Sequence, residues 1–93
     1  MLKSFKDREA KKIFERETSL RLPQDIQRVA LRKLLMLDAS QHLQDLRVPP
    51  SNHLELLKGS GEKKYSIRVN DQWRIRFRWA QDSAYDVEII DYH

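Results

Sequence analysis

Trp73-Arg74-Ile75-Arg76-Phe77-Arg78-Trp79 alternates apolar and basic side chains without a break. Successive side chains of a strand point to opposite faces. Trp73, Ile75, Phe77 and Trp79 therefore share one face, and Arg74, Arg76 and Arg78 share the other. The apolar face reads as core beneath a packed layer. The arginine face suits a polyanion, because a guanidinium fork matches phosphate oxygens two at a time.

The segments on either side extend this strand into a sheet. Tyr65-Ser66-Ile67-Arg68-Val69 alternates in the same way, and Asn70-Asp71 turns the chain into the arginine strand. Gln81-Asp82-Ser83 makes the next turn. Ala84 to Ile90 reads as the last strand, with Tyr85, Val87 and Ile89 expected on one face. Leu54 to Leu57 is a short strand that ends at Lys58-Gly59-Ser60-Gly61, which holds the chain's only two glycines. They make a flexible turn; neither the P-loop nor the dinucleotide fingerprint is present.

Upstream, Leu2 and Phe5 mark a short N-terminal strand, and a helix fits Lys6 to about Glu17 with Ala10, Ile13 and Phe14 on one side. Pro23 suits a helix first turn. Ile26, Val29, Ala30, Leu34 and Leu37 then recur at helical spacing to about Ala39, with Leu31 and Leu35 widening the stripe. Arg47-Val48-Pro49-Pro50-Ser51-Asn52 is a connector, since consecutive prolines suit no element interior. The expected fold is α+β: an N-terminal strand and two helices packed on one side of a mostly antiparallel sheet, forming one domain over residues 1–93.

Composition narrows the functional classes. With no cysteine among 93 residues, disulfides and thiolate chemistry are excluded. No apolar run suggests a signal peptide or membrane span, so the chain reads as cytoplasmic. A net charge of +4 fits a polyanionic partner. The charge is uneven: residues 51–78 carry Lys58, Lys63, Lys64, Arg68, Arg74, Arg76 and Arg78 against Glu55, Glu62 and Asp71, whereas only acids (Asp82, Asp86, Glu88 and Asp91) occur from residue 79 onward. His42, His53 and His93 are far apart and no His-Glu-x-x-His spacing occurs, so neither a metal site nor a cofactor is expected.

Leu57-Lys58-Gly59, Tyr65 through Trp79 and Tyr85 through His93 closely resemble the HigB toxins, also called plasmid maintenance killer proteins, of the RelE superfamily. Asn70-Asp71-Gln72-Trp73-Arg74 and the final Asp91-Tyr92-His93 are the most specific parts. The resemblance implies a type II toxin that cleaves messenger RNA in the ribosomal A site. It also implies a HigA-type antitoxin with a helix-turn-helix domain, through which operator DNA is reached. Many relatives have His-Pro-Leu-Lys-Gly where this chain has Glu55-Leu56-Leu57-Lys58-Gly59. His53 lies two residues earlier, which in a strand would keep it on Glu55's face; the alternative is a place at the strand entrance.

Metal-free RNA cleavage uses the 2′-hydroxyl as nucleophile. The protein must take that proton, protonate the departing 5′-oxygen and steady charge at phosphorus. Because an unperturbed imidazole titrates near neutrality, His93 is the natural acid or base; Asp91 adds to this or anchors the tail, and Tyr92 donates to a phosphate oxygen or stacks on a base. Lys58 supplies positive charge or a proton, and Arg74 is the expected phosphate clamp. Lys58, Arg74, Asp91, Tyr92 and His93 thus form the expected catalytic set, with Arg68, Arg76, Lys63, Lys64 and His53 binding RNA. The arginine face by itself is also compatible with a non-catalytic RNA- or ribosome-binding module acting with its antitoxin in operon autoregulation.

Overall fold

In the computed structural model, which describes residues 1–59 and 63–92, the sheet forms around the arginine strand as its alternation requires. Four antiparallel strands lie in the order β1 (Glu55–Leu57), β2 (Lys64–Arg68), β3 (Trp73–Ala80) and β4 (Ser83–Asp91). The β2–β3 turn is closed by Asn70, whose Oδ1 accepts from the backbone of Gln72 and Trp73, both at 2.8 Å. The β3–β4 turn uses Gln81 and Asp82 at φ of 51° and 57°, the paired left-handed geometry whose twist suits a two-residue hairpin.

Helices α1 (Arg8–Phe14) and α2 (Gln24–Ala39) pack on one face. Ala10 and Ile13 of α1 meet Ile26, Ala30, Leu34 and Leu37 of α2 over Ile67, Ile75, Phe77, Val87 and Ile89 of the sheet. Trp73 and Trp79 flank this core half-buried. Helix α1 is shorter than the predicted span from Lys6 to about Glu17. Asp7 caps its start by accepting from Glu9 N–H at 2.9 Å, and Arg16, left-handed at φ 63°, ends it.

Three expectations are corrected by local geometry. Tyr85 does not share a face with Val87 and Ile89. Arg76 pairs with Glu88 but Arg78 with Tyr85, so β4 carries one extra residue, and Asp86 absorbs it at φ 54°. A bulge of this kind shifts the alternation by one. Ala84, Val87 and Ile89 stay in the core, while Tyr85 turns to the arginine face beneath Arg78, whose guanidinium carbon is 4.7 Å from the ring centroid. The same bulge interrupts the expected N-terminal strand. Residues 1–6 run parallel to β4 through two isolated bridges, Leu2 with Ala84 and Phe5 with Val87. Between them Asp86 N–H turns to Ser4 Oγ at 2.9 Å instead of continuing a ladder.

The third correction concerns α2. Leu35 is exposed, whereas Lys33 is only 3% exposed. The connector, folded into 3₁₀ turns at Leu43–Arg47 and Pro50–Asn52, covers that side of the helix. Buried Asn52 accepts from the Lys33 ammonium and donates to the carbonyls of Leu46 and Val48 at 3.1 and 3.4 Å. Burial, then repulsion from Arg32 and Arg68, hold Lys33 below the usual lysine range.

Two consequences are measurable. Phe77→Ala should lower the unfolding free energy by about 3–5 kcal/mol in urea titrations, because a fully buried ring is lost with a cavity left behind. For Lys33, the lowered folded pKa means that the unfolded chain binds more protons as pH approaches the ordinary lysine range, so the penalty of burying the ammonium is relieved as pH rises toward that range. The stability of the wild type relative to Lys33→Met should therefore increase as pH is raised toward the ordinary lysine range of about 10.

Candidate active site

Opposite the helices, the sheet presents Arg74, Arg76 and Arg78 of β3 beside Lys64, Ser66 and Arg68 of β2, as the register of the two strands dictates. At the end where β4 finishes, this face opens into a cleft of about 550 Å³ lined by Leu57, Lys58, Arg76, Ile90, Asp91 and Tyr92. Lys58, Asp91 and Tyr92, chosen from sequence, thus meet across one space despite arising from two ends of the sheet. Leu57 and Ile90 make its apolar wall, and Arg76 supplies its second cation.

The tail is tied down as far as Tyr92. Asp91 pairs with Trp73 across the β3–β4 ladder, and Tyr92 N–H donates to Gln72 C=O at 2.6 Å. Gln72 Nε2 also donates to Asp91 Oδ2 at 3.1 Å. His93 lies outside the described residues.

Arg74, expected as the phosphate clamp, does not line the cleft. It is 5% exposed. Its Nε donates to Ser66 Oγ at 2.8 Å, and its Nη2 donates to Ser66 C=O at 3.3 Å and to His53 C=O. The guanidinium carbon then sits 5.2 Å from the centroid of the Tyr92 ring, a cation–π arrangement. A buried guanidinium requires acceptors for its donors, and these groups provide them. Its charge therefore lies beneath Tyr92 instead of in the open cleft.

Arg76 is the arginine that reaches the cleft. Its Nε is held by Glu88 Oε2 at 2.9 Å. Arg76 also borders a smaller recess of about 210 Å³ with Lys6, Lys64 and Arg78, set against Asp86 and Glu88. Arg76 lines both spaces. Arg68 is paired with Asp71, and Lys63 is exposed just before β2.

His53 lies at the left-handed end of the second 3₁₀ turn, at φ 44°, before β1 begins. Strand alternation therefore does not reach it, and the argument for a shared face with Glu55 fails. Glu55 instead occupies the first position of β1, and its Oε2 accepts from the Tyr92 hydroxyl at 3.2 Å. Sequence reasoning marked Glu55 only as the position where many relatives carry histidine, and missed Ser66 and Gln72 as members of the site. Of those two, Gln72 was recoverable, because folding Asp91 back across Trp73 brings it to the tail. Among the described residues, no group of three or more His, Asp or Glu is arranged to hold a metal ion, and no helix is long and apolar enough to cross a membrane.

An antiparallel sheet with two helices on one face and a basic cleft on the other is the architecture of a small RelE-like toxin. The chain belongs to the HigB-like toxin family: the family's model, a RelE-like toxin of type II toxin–antitoxin system HigB, matches residues 3–93. It is 41% identical to Toxin HigB-1 of Vibrio cholerae over 85 residues, 90% of each chain. It is 35% identical to Endoribonuclease HigB of Proteus vulgaris over 94 residues spanning both chains. A Haemophilus influenzae protein of uncharacterised function is 46% identical over 68 residues, 73% of this chain and 67% of that one. As a type II toxin the chain has an antitoxin partner.

The position of Arg74 gives a test. Arg74→Met leaves Ser66 and the His53 carbonyl without their donor and should lower the unfolding free energy by about 1–3 kcal/mol. Hydrogen exchange at the Tyr92 amide should accelerate in the same variant, since the ring loses its support.

Proposed function

We propose that this chain is a ribosome-dependent endoribonuclease that cuts translated messenger RNA in the A site. The observation that carries this reading is the cleft lined by Lys58, Arg76, Asp91 and Tyr92, together with a second basic recess that shares Arg76; we read the two as one groove. The name of the Proteus vulgaris relative supports it. The groove tracks a phosphate backbone through Arg76, Arg78, Lys64 and Lys6, with Lys63, Arg68 and His53 contacting RNA at its borders. Arg76 holds the scissile phosphate, and Arg74 acts from below by fixing Tyr92.

In the reaction, the 2′-oxygen attacks phosphorus, the bond from phosphorus to the 5′-oxygen breaks, and a 2′,3′-cyclic phosphate and a 5′-hydroxyl are left. Lys58 steadies the extra negative charge and protonates the 5′-oxygen. Asp91 organises the tail, and His93 supplies acid–base help. The cleft offers two cations, a phenol and one carboxylate, a set suited to a phosphate. In this scheme those groups carry out a metal-independent cleavage. A HigA-type antitoxin with a helix-turn-helix domain neutralises the toxin in the cytoplasm and carries it to operator DNA.

Mapping messenger RNA 5′ ends after brief induction tests the reading. Wild type should generate cuts within translated frames. Lys58→Met and Asp91→Asn should reduce them by about 10²–10⁴-fold, the scale of acid–base and charge stabilisation, with unchanged unfolding midpoints. Slowed growth without any cuts would make the basic face a binding surface and overturn the nuclease reading.

A further inference from the structure

We infer that Glu55 is the proton acceptor behind Tyr92, so that Tyr92 meets the 2′-hydroxyl as a base and not as a donor to phosphate. This inference rests on the nuclease reading and adds to it a residue that acts through Tyr92. A phenol has one proton to donate and lone pairs to accept with, whereas a carboxylate only accepts. The Tyr92 hydroxyl lies 3.2 Å from Glu55 Oε2, so its proton is directed to Glu55. Tyr92 itself lines the cleft and Glu55 does not. What the phenol oxygen offers the cleft is therefore a lone pair.

The pair is held from several sides. Glu55 opens β1 and is fixed opposite Ser66. Ser66 in turn seats Arg74, which supports the Tyr92 ring from beneath. The charged groups around the pair are Arg74 of β3, which underlies the Tyr92 ring, and Lys58 after β1, Arg76 of β3 and Asp91 of β4, which line the cleft with Tyr92. Three cations against one carboxylate make the surroundings of the pair positive.

The step balances. The 2′-hydroxyl proton passes to Tyr92 Oη while Tyr92's own proton passes to Glu55 Oε2. The 2′-oxygen bonds to phosphorus, the bond to the 5′-oxygen breaks, and the Lys58 ammonium supplies that oxygen's proton. Glu55 leaves the step as a carboxylic acid and Lys58 as an amine, and exchange with water restores both. Tyr92 is the catalytic residue in this scheme, and Glu55 is a positioning residue with a proton-accepting role.

The test uses the full-length chain with programmed ribosomes, comparing wild type, Glu55→Gln, Glu55→His and Tyr92→Phe. A glutamine oxygen still accepts the Tyr92 hydrogen bond but takes no proton. Glu55→Gln should therefore lower kcat by about 10²-fold or more with KM little changed. Tyr92→Phe should lose as much, and combining the two should add little further. Imidazole loses its accepting capacity about two pH units above a carboxylate. The ratio of wild-type to Glu55→His rates should therefore climb about tenfold for each pH unit below about 6.5. Because it is a ratio, titration of other groups, including His93, cancels.

A purely structural Glu55 would lower the unfolding midpoint of Glu55→Gln and leave the ratio flat, and that result overturns the inference. Glu55→Gln cleaving at the wild-type rate overturns it as well, while leaving the nuclease reading standing. Absence of cleavage by wild type itself overturns both.

Discussion

The cleft depends on one buried cation. Removing a guanidinium from water is unfavourable unless its N–H donors find acceptors, and Arg74 finds them on Ser66 of β2 and on the carbonyl of His53. Those contacts fix the entrance to β1 against the middle of the sheet. On top of this seat lies Tyr92, whose backbone is held by Gln72 and whose hydroxyl is held by Glu55. Without Arg74, β1 and the tail would meet only through exposed contacts. With it, segments far apart in the chain share one rigid corner, and the cleft forms where they join.

The second constraint is the bulge at Asp86. One extra residue in β4 keeps Val87 and Ile89 in the core while turning Tyr85 to the basic side. It also leaves Asp86 and Glu88 to hold the Nε atoms of Arg78 and Arg76. Arginine side chains are long and rich in rotamers, and ordering them before a ligand arrives removes part of the entropy lost on binding. The carboxylates thus pre-orient the groove at the expense of some of its positive charge.

Family membership and physical reading converge from independent directions. The family model covers nearly the whole chain, and the sheet with its helices on one face is what a RelE-like toxin requires. The chain also departs from many relatives at Glu55. A carboxylate there accepts a hydrogen bond from the Tyr92 hydroxyl, so the departure is built into the hydrogen bonding of the corner and reaches a residue that lines the cleft.

Strand alternation and helical periodicity are local properties, and they were enough to place α2, the four strands and both hairpin turns. They were enough because burying an apolar face is the main force and it acts at fixed spacing. The same alternation correctly put Trp73, Ile75, Phe77 and Trp79 under the helices. It could not separate Arg74 from Arg76, since both have the same local pattern and differ only in what covers them. The partnership of Glu55 with Tyr92, the burial of Lys33 beneath the connector and the turning of Tyr85 were equally invisible. Each depends on a contact between distant segments or on a single inserted residue, and no repeat in the sequence encodes either. Chain order decided which face was basic; tertiary packing decided which of its cations faces the cleft.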